Sequence, residues 1–412
     1  MAHFALIAPP LPGHFNPLLA LGQELAGRGH QISFVHLPDA ARMVRGAGMS
    51  FEAIGASTHP PGWLDGWIAR MARLTGPLGL RRMIADVAGL TDMICREGPE
   101  ALRRLRVDAV IADQMEPGAG VISEHLGLPF VTTATGLPIN REGSVPPPYV
   151  GWTYDPSPKG RKWNEGGYRI SDLLMRKVGD VLEHHAMRLG LPVRRRADQF
   201  FSSQAQLAQA VAGVDFPRSE LPSSFHYLGP FRASHDGEFT IPDPDGRPLV
   251  FCSLGTLQGS RSRIFQHVAM VCARLGLRLV IAHGGRMPTS DVAKLAGDPL
   301  VFDFVPQRAV LAKASLAITH AGFNTVLDAL SFGVPLVAIP LAFEQPATAA
   351  RLDYRGVARI VPRLRVGSRL QPAVEEVLGD PRYRANAATV DDEIAAAGGV
   401  SRAADLAEAA LR

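Results

Sequence analysis

Ser315-Leu-Ala-Ile-Thr-His-Ala-Gly-Phe-Asn-Thr-Val-Leu-Asp-Ala-Leu330 is the stretch that decides the fold. Residues 315–318 form an apolar run ending at Thr319-His320, Gly322 permits a tight turn, and Asn324-Thr325 opens a segment with Val326, Leu327 and Leu330 at helical spacing. The order is strand, turn, helix. Such a turn presents unpaired amides at a helix N-terminus, with the positive end of the helix dipole behind them, and this suits a diphosphate. His320 at the strand end adds a hydrogen-bond donor. Phe304, in Phe304-Val-Pro-Gln307, offers a ring to stack on a base, and Asp328, one turn into the helix, can accept from ribose hydroxyls. Glu344-Gln345 follows a second buried strand over 334–341 and reaches the same crevice. A nucleotide-sugar is the economical ligand.

Working outward, the same alternation fills both halves of the chain. Strands are expected over 249–254, 277–282, 300–305, 315–319 and 334–341, and in the first half over 4–8, 31–37, 107–112 and 127–132. The first strand leads through a Pro- and Gly-rich loop into a helix capped by Asn16, with Pro17 at its first position, Leu18, Leu21 and Leu25 on one face, and Gly29 as its stop. Residues 136–196, rich in Pro, Trp, Tyr and Arg, break the alternation as an insertion of loops and helices. The fold class is therefore α/β, with two facing doubly wound parallel sheets: residues 1–234, a linker over 235–247, and residues 248–412. Ligands of such sheets bind beyond the strand carboxyl ends, so facing domains share one cleft.

A chain of 412 residues is too long for one ordinary core, and 46% apolar with 20% charged residues describes a folded protein throughout. A net charge of +4 is not the footprint of a nucleic-acid partner. Cys95, Cys252 and Cys272 lack metal-ligand spacing and fit a reducing compartment. The apolar start has no basic region before it and is broken by Pro9, Pro10 and Pro12, and no uninterrupted apolar run is long enough to span a bilayer. These features predict a cytoplasmic protein, at most peripheral on the inner face of a membrane. Trp63, Leu64, Trp67, Ile68, Met71 and Leu74 follow helical spacing beside Arg70 and Arg73, which reads either as core or as a stripe resting on a membrane surface.

If a bound nucleotide-sugar passes its sugar to an alcohol, a base is needed to take the hydroxyl proton. His14, in the loop after the first strand, faces the cleft and is mostly neutral at pH 7. A carboxylate that orients its other nitrogen improves it, and Asp113, ending the strand over 107–112, is the choice; Glu116 is the runner-up, and Asp108 lies on the opposite edge of the sheet. Gly255 and Thr256, in Ser253-Leu-Gly-Thr256, end the strand over 249–254 and offer amide and hydroxyl contacts to the nucleotide. Asp243-Pro-Asp245 looks like a metal-binding acid pair, but its Pro-rich setting favours a solvated turn, so no metal or other cofactor is expected. Gly284-Gly285 likewise reads as a turn. On the acceptor side, Phe15, Met115, Leu137, Pro146 to Pro148, Tyr149, Trp152 and Trp163 lie in loops that suit a large apolar molecule.

Taken together, Phe304-Val-Pro-Gln307, Thr319 to Thr325, Asp328 and Glu344-Gln345 resemble the donor signature of the UDP-glycosyltransferase family, inverting enzymes of the two-domain B-type glycosyltransferase fold. Gly13-His-Phe-Asn-Pro17 matches that family's pattern, and its dyad aspartate stands where Asp113 does. His3 to Pro10, Leu137 to Arg141 with Pro146 to Pro148, Asn324 to Leu330, and Glu344 to Ala347 with Ala349 to Leu352 carry a closer similarity to bacterial carotenoid glucosyltransferases. The chain departs from the family at Phe304, where many members have Trp, at Asp328, where many have Glu, and at Glu344, where many have Asp. The resemblance implies UDP-glucose as donor and zeaxanthin or a related hydroxycarotenoid as acceptor, with His14 as base, Asp113 orienting it, and Gly255, Thr256, Phe304, Gln307, His320, Gly322, Asn324, Thr325, Asp328, Glu344 and Gln345 on the donor. It also implies that the last helical region, 385–411, crosses back onto the first domain. A macrolide or flavonoid glycosyltransferase, a nucleotide-sugar epimerase and a non-catalytic nucleotide-sugar-binding subunit remain as alternatives. A nicotinamide dehydrogenase is disfavoured, because Pro10-Leu-Pro-Gly-His14 is not a three-glycine fingerprint.

Overall fold

A computed structural model describes residues 1–72, 76–233, 238, 240 and 246–411. Most of the expected linker, including Asp243 and Asp245, lies outside the described residues, as do Arg73 and Leu74. The first domain is a parallel sheet of β1 His3–Ile7, β2 Gln31–His36, β3 Ser50–Ala53, β4 Ala109–Asp113, β5 Phe130–Ala134, β6 Ala205–Ala208 and β7 Phe225–Tyr227, in the order 3-2-1-4-5-6-7. The second is a parallel sheet of β8 Leu249–Ser253, β9 Arg278–Ala282, β10 Leu300–Phe302, β11 Leu316–Thr319, β12 Leu336–Ala338 and β13 Ala358–Ile360, in the order 10-9-8-11-12-13. Central strands such as β1, β4 and β8 are buried along their whole length, as unbroken apolar runs covered by helices on both faces should be. Each order reverses beside β1 or β8, which sets the ligand crevice at the carboxyl ends of those strands and their neighbours.

The first helix differs from its sequence reading. It spans Pro12–Gly27, with Leu11 rather than Asn16 in the capping position and Pro12 in the first turn, so Pro17 lies inside it. Pro12 supplies the preset φ that starts the helix, and His14 moves from a loop into the first helical turn. The 63–72 stripe is also settled: Leu64, Trp67 and Met71 of the helix Trp63–Ala72 are buried in the first domain's core, so this stripe is packing and not a membrane face.

The domains are joined by buried charge. Asp215 and Arg351 are fully buried, with Arg351 Nε donating to Asp215 Oδ1 at 2.7 Å, Arg218 Nε to Oδ2 at 2.9 Å and the Tyr227 hydroxyl to Oδ2 at 3.0 Å. Burial alone would raise the Asp215 pKa, but Arg218 and Arg351 hold it down to about 2. The last helix, Gly399–Ala409, packs back on the first domain: Ala403, Ala404 and Ala407 join its core, and Asp405 accepts from Arg28 at 2.8 Å.

Candidate active site

Parallel strands bring their carboxyl ends to one edge, and the candidate residues collect there. Asp113 closes β4, Thr135 follows β5, Gln209 follows β6, and His14 stands on the third residue of the helix after β1. His14 Nδ1 lies 2.8 Å from Thr135 Oγ1 and 3.3 Å from Asp113 Oδ1. The Thr135 hydroxyl donates in turn to Asp113 Oδ2, while Met115 N–H donates to Asp113 Oδ1 at 2.9 Å. A hydroxyl whose proton points to a carboxylate can only accept from the imidazole, so Nδ1 carries hydrogen and Nε2 keeps its lone pair. Thr135 therefore bridges the two expected partners, which also approach each other directly. It was missed in the sequence because nothing local links position 135 to position 14.

Burial favours the neutral form of His14, but Asp113, with Glu344 and Glu116 farther off, outweighs it and raises the pKa above the ordinary 6.5. Glu116 is engaged elsewhere, with Oε1 3.3 Å from Nε2 of buried His36.

Facing this group are the carboxyl ends of β8, β11 and β12. The helix Phe323–Leu330 begins after Gly322 with no side-chain cap, and its first internal bond, from Val326 N–H to Gly322 C=O, leaves the amides of Phe323, Asn324 and Thr325 without intrahelical acceptors. Gly322 itself is extended, and the positive φ of the turn, 65°, falls on Ala321. The glycine is required for a different reason: a Cβ there would lie 2.4 Å from the His320 ring, and one on Gly255 would lie 2.8 Å from it. The two glycines form the walls of a slot for His320. Burial drives the His320 pKa down to about 4, against a raising hydrogen bond to the Ser253 backbone, so this histidine is neutral, with a single N–H, and brings no charge to the site.

Other donor-side residues are already engaged. Asp328 accepts from Arg232 Nε at 2.7 Å and from Gln307 Nε2 at 2.6 Å, and Thr325 Oγ1 donates to Gln307 Oε1 at 3.2 Å. Arg232, missed in the sequence, also bonds Gln209 and Asn324. Asn324 Oδ1 accepts from Gln209 Nε2 at 2.9 Å, and its Nδ2 donates to Gly13 C=O at 2.8 Å. Phe304 leaves its ring 68% exposed beside Gly285, open for stacking on a base, and Gly284 packs against Thr256. Gln345 Oε1 closes its own loop by accepting from the Leu341 and Ala342 amides at 2.9 and 2.8 Å, which leaves its NH2 group for a ligand. Glu344 has its pKa raised by burial, partly opposed by its own backbone amide and by His14.

On the acceptor side, Phe15 is fully buried and stacked on Phe34 at 4.7 Å, and Leu137 is 2% exposed, so neither presents a surface to a ligand. Met115 is half-buried beside Asp113. Tyr149 lines a cavity of about 350 Å³ with Ile139, Pro148, Tyr168, Leu173 and Met175. Tyr149 is 42% exposed; desolvation nevertheless pushes its pKa up to about 12, and Glu344 is among the charges it feels. Among the described residues no cluster of His, Cys, Asp and Glu is arranged to hold a metal.

Residues 96–392 match the model of the UDP-glucoronosyl and UDP-glucosyl transferase family. The chain is 38% identical to a zeaxanthin glucosyltransferase of Pantoea ananas, over 99% of this chain and 96% of that protein. It is 40% identical to a zeaxanthin glucosyltransferase of Pseudescherichia vulneris, over 100% and 98%. In three dimensions it is similar to the solved glycotransferase of kitacinnamycin, with a TM-score of 0.80 at 23% identity, covering 100% of this chain and 99% of that one.

Proposed function

Because the chain belongs to the UDP-glucoronosyl and UDP-glucosyl transferase family, we propose that it moves glucose from UDP-glucose to a hydroxyl of zeaxanthin or a related hydroxycarotenoid, with inversion at the anomeric carbon. The observation that carries the chemistry is the His14 ring, with Nδ1 bound to Thr135 and Nε2 without a partner among the described residues, at the edge of the cleft whose other side holds the open amides after Gly322. In this reading Nε2 takes the proton of the acceptor hydroxyl as its oxygen bonds the anomeric carbon. The bond from that carbon to the diphosphate breaks on the opposite face, and Asp113 stabilises the imidazolium both directly, at 3.3 Å, and through Thr135.

The leaving diphosphate is received by the amides of residues 323–325, dipoles fixed before the reaction begins, with the neutral ring of His320 beside them. These donors supply the stabilisation without a metal. Phe304 stacks on the base, and Glu344 with the Gln345 NH2 group holds sugar hydroxyls. The cavity beside Tyr149 takes one ring end of a long apolar acceptor, whose remainder extends outward.

The test is mass-spectrometric product analysis after incubating the purified protein with UDP-glucose and detergent-dispersed zeaxanthin in the presence of EDTA. Mono- and diglucosides are expected. UDP release only with a polyketide or flavonoid panel would discard the carotenoid acceptor and keep the transferase.

A further inference from the structure

The helix Pro158–Leu174 in the first domain's insertion is amphipathic in an unusual sense. Its inner side buries Gly160, Asn164 and Gly167. Its outer side carries Trp163, Ile170 and Leu174, spaced seven and four residues apart and so in one line along the helix, 63%, 61% and 47% exposed, with Leu173 beside them. A parallel line one residue earlier holds Lys162 and Arg169, both exposed, and Lys177 extends the basic edge into the next helix, Arg176–Arg188, where Arg176 is paired with Asp180 at 3.8 Å; Glu165 is the exposed acid on Pro158–Leu174. Lys162 and Arg169 have no carboxylate within ion-pair distance among the described residues.

We propose that this face docks on an anionic lipid bilayer. Large apolar side chains edged by cations match the boundary between acyl chains and anionic headgroups: the rings and branched chains enter the apolar layer while Lys and Arg reach the phosphates. A second copy of the chain fits less well, because a two-fold contact through this stripe would bring its own cations together. Nucleic acid would pair with the cations and leave Ile170 and Leu174 in water. Leu173 and Arg176 belong both to this edge and to the wall of the cavity beside Tyr149, which places the docking face next to that cavity. Docking rests on exposure and charge, and stands whether or not the acceptor is a carotenoid.

The experiment is flotation of the full-length protein, without substrates, on vesicles of phosphatidylcholine with about one-third phosphatidylglycerol, and on phosphatidylcholine alone. Binding to the anionic vesicles, weakened at high salt, is expected. The double variant Lys162→Glu/Arg169→Glu is expected to partition at least about tenfold less, and Ile170→Glu to lose binding as well, each with UDP-glucose turnover on a detergent-dispersed acceptor unchanged. All three positions are exposed, and an unaltered thermal melt confirms folding of the variants. Absence of binding to anionic vesicles, equal binding by the double variant, or a concentration-dependent dimer in sedimentation that Ile170→Glu dissolves would each overturn the proposal.

Discussion

Asn324 and Gly13 are joined across the domain boundary, the Nδ2–H of the first donating to the carbonyl of the second at 2.8 Å. That carbonyl is free because Pro17, four residues on and inside the same helix, has no N–H to give it. A residue that ordinarily disrupts a helix thus leaves an acceptor at the helix start, one residue before His14, and the donor-side helix uses it. With Gln209 bonded to both the Thr135 carbonyl and Asn324 Oδ1, a continuous set of hydrogen bonds joins His14, Thr135, Gln209, Asn324 and Gly13.

Replacing Asn324 with Ala removes bonds on both sides of the boundary. The expected result is a loss of roughly tenfold in kcat/KM, the size of one or two net hydrogen bonds. Steady-state kinetics with UDP-glucose as the varied substrate checks it, and unchanged kinetics would mean that the link plays no part in turnover.

Thr135→Val keeps the shape of the side chain and removes the hydroxyl between His14 and Asp113. A fall of about 10- to 100-fold in kcat, with KM for UDP-glucose unchanged, is expected, and Thr135→Ser should recover most of it. Equal rates for Val and Ser would show that Asp113 acts on His14 directly.

The pH profile follows from the raised pKa of His14. A base must be neutral, so kcat/KM, which reports the free enzyme, should rise with pH through a limb whose midpoint lies above 6.5. Asp113→Asn leaves burial as the main influence, so the limb should move to lower pH while the plateau falls about a hundredfold or more. The linkage to stability has the opposite sign: a raised folded-state pKa contributes stability that is fully present below 6.5 and is lost as pH rises through the folded value.

Gly322→Ala and Gly255→Ala each place a methyl group inside contact distance of the His320 ring, and Gly255 also has a φ of 70° that Ala resists. Affinity for UDP, measured by calorimetry, should fall at least about tenfold in both, with His320→Ala similar and His320→Gln milder because it keeps a neutral donor.

Arg351→Met leaves Asp215 buried with Arg218, Tyr227 and the Phe216 amide as its partners and should cost about 3–5 kcal/mol, read by denaturant unfolding. For the unaltered protein the depressed carboxylate pKa gives stability that is present above the ordinary 3.8 and is lost as pH falls from there through about 2. A variant as stable as the parent would remove this cluster from the account of how the domains are held.

Two parallel sheets, the cleft between them and the facing of His14 with the Gly322 turn were legible in the sequence, because each follows from local periodicity and from the rule that parallel strands share a carboxyl edge. The same local signals misled at Asn16-Pro17, where the helix had already begun at Pro12, and at Phe15, whose place on the helix turns it into the core against Phe34. What lay beyond reach was every partner far away in the chain. Thr135 for His14, Gly13 for Asn324, Arg232 for Asp328 and Arg351 for Asp215 are separated by 121, 311, 96 and 136 residues. No short pattern encodes such pairs. The sequence by itself determined which elements form and which edge gathers the chemistry; only the tertiary structure decided which side chain holds which, since hydrogen-bond partners are chosen by distance in space after the sheets have packed.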